Sequence, residues 1–164
     1  GVFALQDALG LVSKGAVKDR LTTWYAQFEA DAAIRIGREI ATDGYTILHT
    51  ELFGENTADD LELYLNLNET LGLSPIPDVL LELLLEEEPA YLELSYWLDN
   101  GGLLQLGLVV PNPSVRLVRR LSLALDEGGN ADLAAFEGTL GRSGPDQLLL
   151  ARRSSGLVLE LHYR

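Results

Sequence analysis

The 164-residue sequence contains no cysteine, so neither a disulfide framework nor a thiolate metal site is open to it, and the redox compartment is left unmarked. Methionine is absent too, and nothing functional follows from that. Histidine occurs only at His49 and His162, which are not at metal-ligand spacing; each falls on an expected strand, where a half-exposed histidine is the plain reading. The most informative absence is one sign of charge. From Glu39 to Val115 there is no lysine or arginine, while fifteen Asp and Glu residues stand there. The first 38 residues hold five basic and four acidic groups and the last 49 hold seven and six, so the middle supplies essentially the whole net charge of −13.

These gaps exclude function classes. Neutralising phosphates needs clustered Lys and Arg, and a pI near 4.4 repels nucleic acid and anionic membranes alike. No apolar run approaches the roughly 18–20 residues that span a bilayer. The apolar stretch Val2 to Val12 has no basic residue before it and the first lysine is Lys14, which does not match a secretory signal, so the expected location is cytoplasmic. What is present is the material for a core: 47% hydrophobic and 23% charged residues, far from the composition of a disordered chain, in a length that suits a single domain over 1–164.

Periodicity sets the expected elements. Val2, Leu5, Leu9 and Val12 predict a short helix over 2–13, and Val17, Leu21, Trp24 and Phe28 a longer one. Residues 32–41 fit helix or strand; with Thr42-Asp43-Gly44 as a turn signal, a hairpin returning through Tyr45, Ile47 and Phe53 is favoured. Leu61, Leu63, Leu65 and Leu67 alternate as a third strand, with Glu62, Tyr64, Asn66 and Asn68 on its polar face. Asp78 to Glu88 reads as a helix stopped by Pro89, apolar on nearly every side and therefore buried or covered by a partner. Leu92 to Leu98 and Leu104 to Val110 form a hairpin through Asp99-Asn100-Gly101-Gly102, and Val115 to Leu125 keeps a two-residue period broken at Arg119. Asn130 caps a helix that ends at Gly141, and residues 147–163 close the chain as a hairpin around Ser154-Ser155-Gly156. The expected fold is α+β, an antiparallel sheet with helices packed on one side in the order α-βββ-α-βββ-α-ββ.

Chemistry-bearing motifs are scarce. Gly141-Arg142-Ser143-Gly144 lacks the spacing of a nucleophile elbow, no phosphate loop or dinucleotide fingerprint occurs, and Asp59 and Asp60 fit no calcium loop, so no catalytic, cofactor or metal residues are assigned. Glu86, Glu87 and Glu88 close a helix where negative charge opposes the macrodipole, which calls for solvent, a cation or a basic partner. Arg116, Arg119 and Arg120, with Arg152 and Arg153, either pair with carboxylates of the acidic middle, within the chain or across a symmetric dimer, or form an anion site; Arg119 reads as a bulge or a paired inward arginine. Trp97 falls opposite Tyr96 and Leu98, beside Glu93 and Ser95, as an interface anchor or as a ring buried under the last hairpin.

From Ala32 to Val110 the order of elements resembles the class I type III secretion chaperones, the family that includes the Tir chaperones. The meander ending in Leu61-Glu62-Leu63-Tyr64-Leu65-Asn66-Leu67, the connection Leu71-Gly72-Leu73-Ser74-Pro75, the leucine-rich helix Val79 to Leu85 and the hairpin through Asn100-Gly101-Gly102 carry the likeness. It implies a homodimer that holds an extended segment of a secreted protein, without catalysis or nucleotide. A YbjN-like regulator is similar in the same way. The early helix and the hairpin Gln147 to Tyr163 depart from that pattern.

The sequence thus leads to a non-enzymatic, cytoplasmic, homodimeric protein-binding module for a basic or amphipathic polypeptide, with Glu62, Tyr64, Glu93 and Trp97 facing the partner. The alternatives are a small-molecule-binding or hydrolytic enzyme with a carboxylate pocket, and a structural oligomer subunit.

Overall fold

The computed structural model describes residues 16–27, 33–40, 46–53, 56–89, 92–98, 103–126 and 128–164. Along them run α1 (Ala16–Gln27), β1 (Ala33–Ile40), β2 (Thr46–Phe53), α2 (Thr57–Leu71), α3 (Asp78–Glu87), β3 (Glu93–Leu98), β4 (Leu103–Pro111), α4 (Val115–Leu125), α5 (Gly129–Leu140), β5 (Gln147–Arg153) and β6 (Gly156–His162). The fold is α+β, and the six strands form one antiparallel sheet in chain order. Each neighbouring pair is joined by a hairpin or a helix pair, so no strand crosses over another. The helix expected over 2–13 and the turn at Asp99-Asn100-Gly101-Gly102 lie outside the described residues.

Two expected strands are helices. Leu61 to Leu67 lies inside α2, because Leu61, Tyr64, Leu67 and Leu71 also recur at three or four residues and bury one helical stripe, leaving Leu65 outside. End signals decide between the two periods. The Asn56 side chain accepts from the Asp59 N–H at 3.0 Å, and Gly72 at φ 67° closes the other end. Likewise Val115 to Leu125 is α4, started by the Ser114 hydroxyl accepting from the Leu117 N–H at 3.0 Å, with Leu117, Val118, Leu121 and Ser122 buried. The order among described residues is therefore αββααββααββ, and Arg119 is not a strand bulge but a half-buried helix residue paired with Glu137.

The expected cap at Asn130 is not one: α5 already begins at Gly129, with Gly128 at the cap position and no side-chain cap bond. Two hairpins stand as expected. Residues Ala33–Ile40 pair antiparallel with Thr46–Phe53 as a hairpin. The last hairpin is an integral sheet edge, since β5 pairs with β4 along its whole length.

Register sorts the strand residues onto two faces. Leu94, Leu108, Leu150 and Leu159 form one row, and Tyr96, Leu106, Arg152 and Leu157 the next. Residues from all five helices join that face in a single apolar cluster: Leu21, Trp24, Leu67, Leu84, Val118 and Leu133. Each such leucine contributes about 1.5–3 kcal/mol of burial. The opposite face holds the rows Glu93, Val109, Leu149, Glu160 and Ser95, Gly107, Ala151, Val158, then Trp97, Gln105, Arg153, Gly156. Its central residues are buried as well, among them Glu93, Ser95, Gln105 and Val109. Gly107 is required there: a Cβ would stand 2.5 Å from Ala151 Cβ and 2.6 Å from the Leu150 carbonyl oxygen.

Candidate functional site

Local sequence dictates the outward faces of α2 and α3. In α2 the residues that point away from the buried stripe are Ala58, Glu62, Leu65 and Glu69, spaced three or four apart. In α3 they are Asp78, Val79, Glu82, Leu85 and Glu86, while Leu80, Leu81, Leu83 and Leu84 are buried. The helix that is apolar nearly all round is thus buried on three sides, with two apolar side chains left outside. Leu65, Val79 and Leu85 are 45%, 56% and 45% exposed, too much for residues that complete a core. The two helices touch one another and share the core beneath them, so both stripes face away from the sheet.

Every charge on these stripes is negative. Neither α2 nor α3 contains a lysine or arginine, and among the described residues no cation reaches Glu62, Glu69, Asp78 or Glu82. The next helix supplies the counter-charge at one end only. Arg120 of α4 donates to Glu87 at 2.6 Å and to Glu86 at 2.8 Å, and Arg116 lies 3.2 Å from Glu87. Hydrogen bonds to Glu87 and then Glu86 raise the Arg120 pKa above its ordinary value. The expected intramolecular pairing with the acidic middle is therefore present for Arg116 and Arg120, where it answers the unfavourable charge at the carboxyl end of α3, but not for the others: Arg119 and Arg153 pair with Glu137 and Glu160 of the last third, and Arg152 donates to the Pro75 carbonyl.

The four residues expected to face a partner are dispersed. Glu62 is exposed on the acidic stripe. Tyr64 is fully buried: its hydroxyl accepts from the Ile76 N–H at 2.9 Å, and burial raises its pKa, partly offset by that bond and by Arg152. It moved from a surface to the core because a helix turns residues 62 and 64 by 200° where a strand turns them by a full cycle. Glu93 is 4% exposed, on the buried centre of the far sheet face. Trp97 is half-buried, with the Arg153 guanidinium of β5 5.3 Å over its ring. Arg153 also donates to Gln105 at 2.6 Å and pairs with Glu160 at 2.7 Å. Leu65 and Glu69, which share the outer stripe of α2 with Glu62, were missed; the signal was Asn56 and Gly72 at the ends of α2, which set the helical period.

A second carboxylate is structural. Glu137 on α5 is buried, and its side chain accepts from the Gly144 N–H at 2.8 Å, from the Tyr163 hydroxyl at 2.9 Å and from Arg119. Burial alone pushes its pKa up, but the Gly144 and Tyr163 bonds and the Arg119 charge together hold it below the ordinary carboxylate value. Tyr163 is pushed up to about 12 by burial first and then by Glu137. These groups tie α4, α5 and the chain end together. His162 lies 3.6 Å from Glu160, and among the described residues no group of three or more His, Asp or Glu is placed to hold a metal. No described helix is long and apolar enough to cross a membrane.

No family model, no curated protein and no solved structure matches the chain.

Proposed function

We propose that this chain is a non-enzymatic binding protein, secretion-chaperone-like in mode, that holds a basic amphipathic segment of another polypeptide against the outer face of α2 and α3. One observation carries the reading: exposed Leu65, Val79 and Leu85 alternate with exposed Glu62, Glu69 and Glu82 on two helices that contain no cation. Apolar contact supplies affinity, and the carboxylates select a cationic partner and speed its approach. An acidic amphipathic segment meets only the apolar half of that surface, and a basic polar one only the acidic half.

Titration calorimetry with three synthetic peptides of equal length tests this. A basic amphipathic peptide is expected to bind, weakening as salt is raised, while an acidic amphipathic one and a basic peptide with serine in place of leucine do not. Equal binding of the acidic peptide, or no binding of the basic amphipathic one, refutes the reading.

A further inference from the structure

The chain already contains one docking of a basic helix on an acidic one. In α4, Arg116 and Arg120 stand one turn apart, and their guanidinium groups reach Glu86 and Glu87 of α3 while Leu117, Val118 and Leu121 turn into the core. The two cations are placed by helical spacing alone, because residues at i and i+4 share a side. The free stripes of α2 and α3 repeat the acceptor half of this arrangement. Glu62 and Glu69 are two turns apart with Leu65 between them, and Asp78 and Glu82 are one turn apart beside Val79 and Leu85, with Glu86, already held by Arg120, one turn further on. Successive carboxylates along α3 are therefore about 6 Å apart, the rise of four helical residues. An extended strand puts same-side residues near 6.6 Å, but with leucine and cation alternating it sends the two kinds to opposite faces, so only one of them reaches a surface that offers both carboxylates and apolar side chains.

Building on the binding reading above, we infer that the partner segment docks on the α2–α3 face as a helix, with cationic residues at i and i+4 and leucine-like residues between them, as α4 does at the carboxyl end of α3. Charge complementarity fixes the occupant: a second copy of the chain carries net −13, and its cations at Arg116 and Arg120 are already paired.

The test uses two synthetic peptides about fifteen residues long, composed of the same leucines and arginines, one ordered with helical period and one with strict alternation. Fluorescence anisotropy is expected to show the helical-period peptide binding the intact protein roughly tenfold tighter than the alternating one. Circular dichroism should show a gain of helix on mixing. The Glu62→Lys, Glu82→Lys double variant is expected to lose roughly tenfold in affinity, and Leu65→Ser to lose affinity with the same melting temperature as the parent. Equal or tighter binding of the alternating peptide overturns the inference while leaving the binding reading intact; failure of both peptides to bind overturns both. Self-association of the protein that the double charge reversal abolishes also overturns it, because the face then belongs to a second copy.

Discussion

Replacing Glu137 with leucine tests whether the tie between α4, α5 and the chain end holds the C-terminal part of the fold. The side chain is 5% exposed and has three donors around it, the Gly144 N–H at 2.8 Å, the Tyr163 hydroxyl at 2.9 Å and Arg119. Leucine leaves the buried Gly144 N–H without a partner, which costs about 1–3 kcal/mol. Arg119 is 29% exposed and regains water, so its loss adds only about 1 kcal/mol. The sum is about 3 kcal/mol, or roughly 9 °C in melting temperature for a chain of this size. Glu137→Gln keeps an acceptor for Gly144 and loses the charge, so about half of that loss is expected. The pH dependence follows from the lowered pKa. The stabilisation from the charged carboxylate is complete above the unfolded value of about 4.5 and disappears as pH falls through the lower folded value. The gap between the parent and Glu137→Gln should therefore narrow as pH drops below 4.5. Thermal and urea unfolding followed by circular dichroism measure both. A leucine variant that melts within about 1 °C of the parent at neutral pH, or a glutamine gap unchanged near pH 2, refutes the reasoning.

Other consequences can be measured the same way. Gly107→Ala places a Cβ 2.5 Å from Ala151 Cβ and 2.6 Å from backbone, and is expected to cost about 3 kcal/mol or to prevent folding; an unchanged urea midpoint would show that β4 and β5 separate freely. Tyr64→Phe strands the Ile76 N–H in the core and should cost about 1–3 kcal/mol in urea unfolding, whereas a residue on a partner-facing surface would cost almost nothing. Tyr163, raised to about 12, stabilises the fold fully below pH 10.0 and loses that contribution between pH 10.0 and about 12; Tyr163→Phe should flatten the alkaline fall in melting temperature. Removing Arg116 and Arg120 together should lower the melting temperature in low salt and leave little difference in high salt, which differential scanning calorimetry across a salt series reads directly.

Several elements were legible because one period fits them and another does not. The strands of the β3–β4 pair and of the last hairpin carry an apolar residue at nearly every second position on the core face, and α5 ends at Gly141 in the left-handed conformation as its sequence predicts. Leu61-Glu62-Leu63-Tyr64-Leu65-Asn66-Leu67 was ambiguous in itself, because leucine at every second residue also places leucine or tyrosine at every third and fourth. The caps Asn56 and Gly72 resolve it locally, and the tertiary core confirms the choice by burying Tyr64 and Leu67 while leaving Leu65 in water. Arg119 broke the strand pattern of residues 115–125 for the same reason: a helix puts it beside Arg120 on the surface, where Glu137 and Glu87 wait on opposite sides.

Composition alone determined the acidic middle of the chain, its lack of thiol chemistry and its mixture of helix and antiparallel sheet, since charge, cysteine content and hydrophobic period are properties of the chain itself. Only the tertiary structure decided which carboxylates are spent. Folding brings Arg116, Arg119 and Arg120 onto Glu86, Glu87 and Glu137, contacts that span from 18 to 34 positions along the chain, and leaves Glu62, Glu69 and Glu82 facing water beside Leu65 and Leu85. Pairing of charges depends on distance in space, which a linear sequence does not carry until the helices pack.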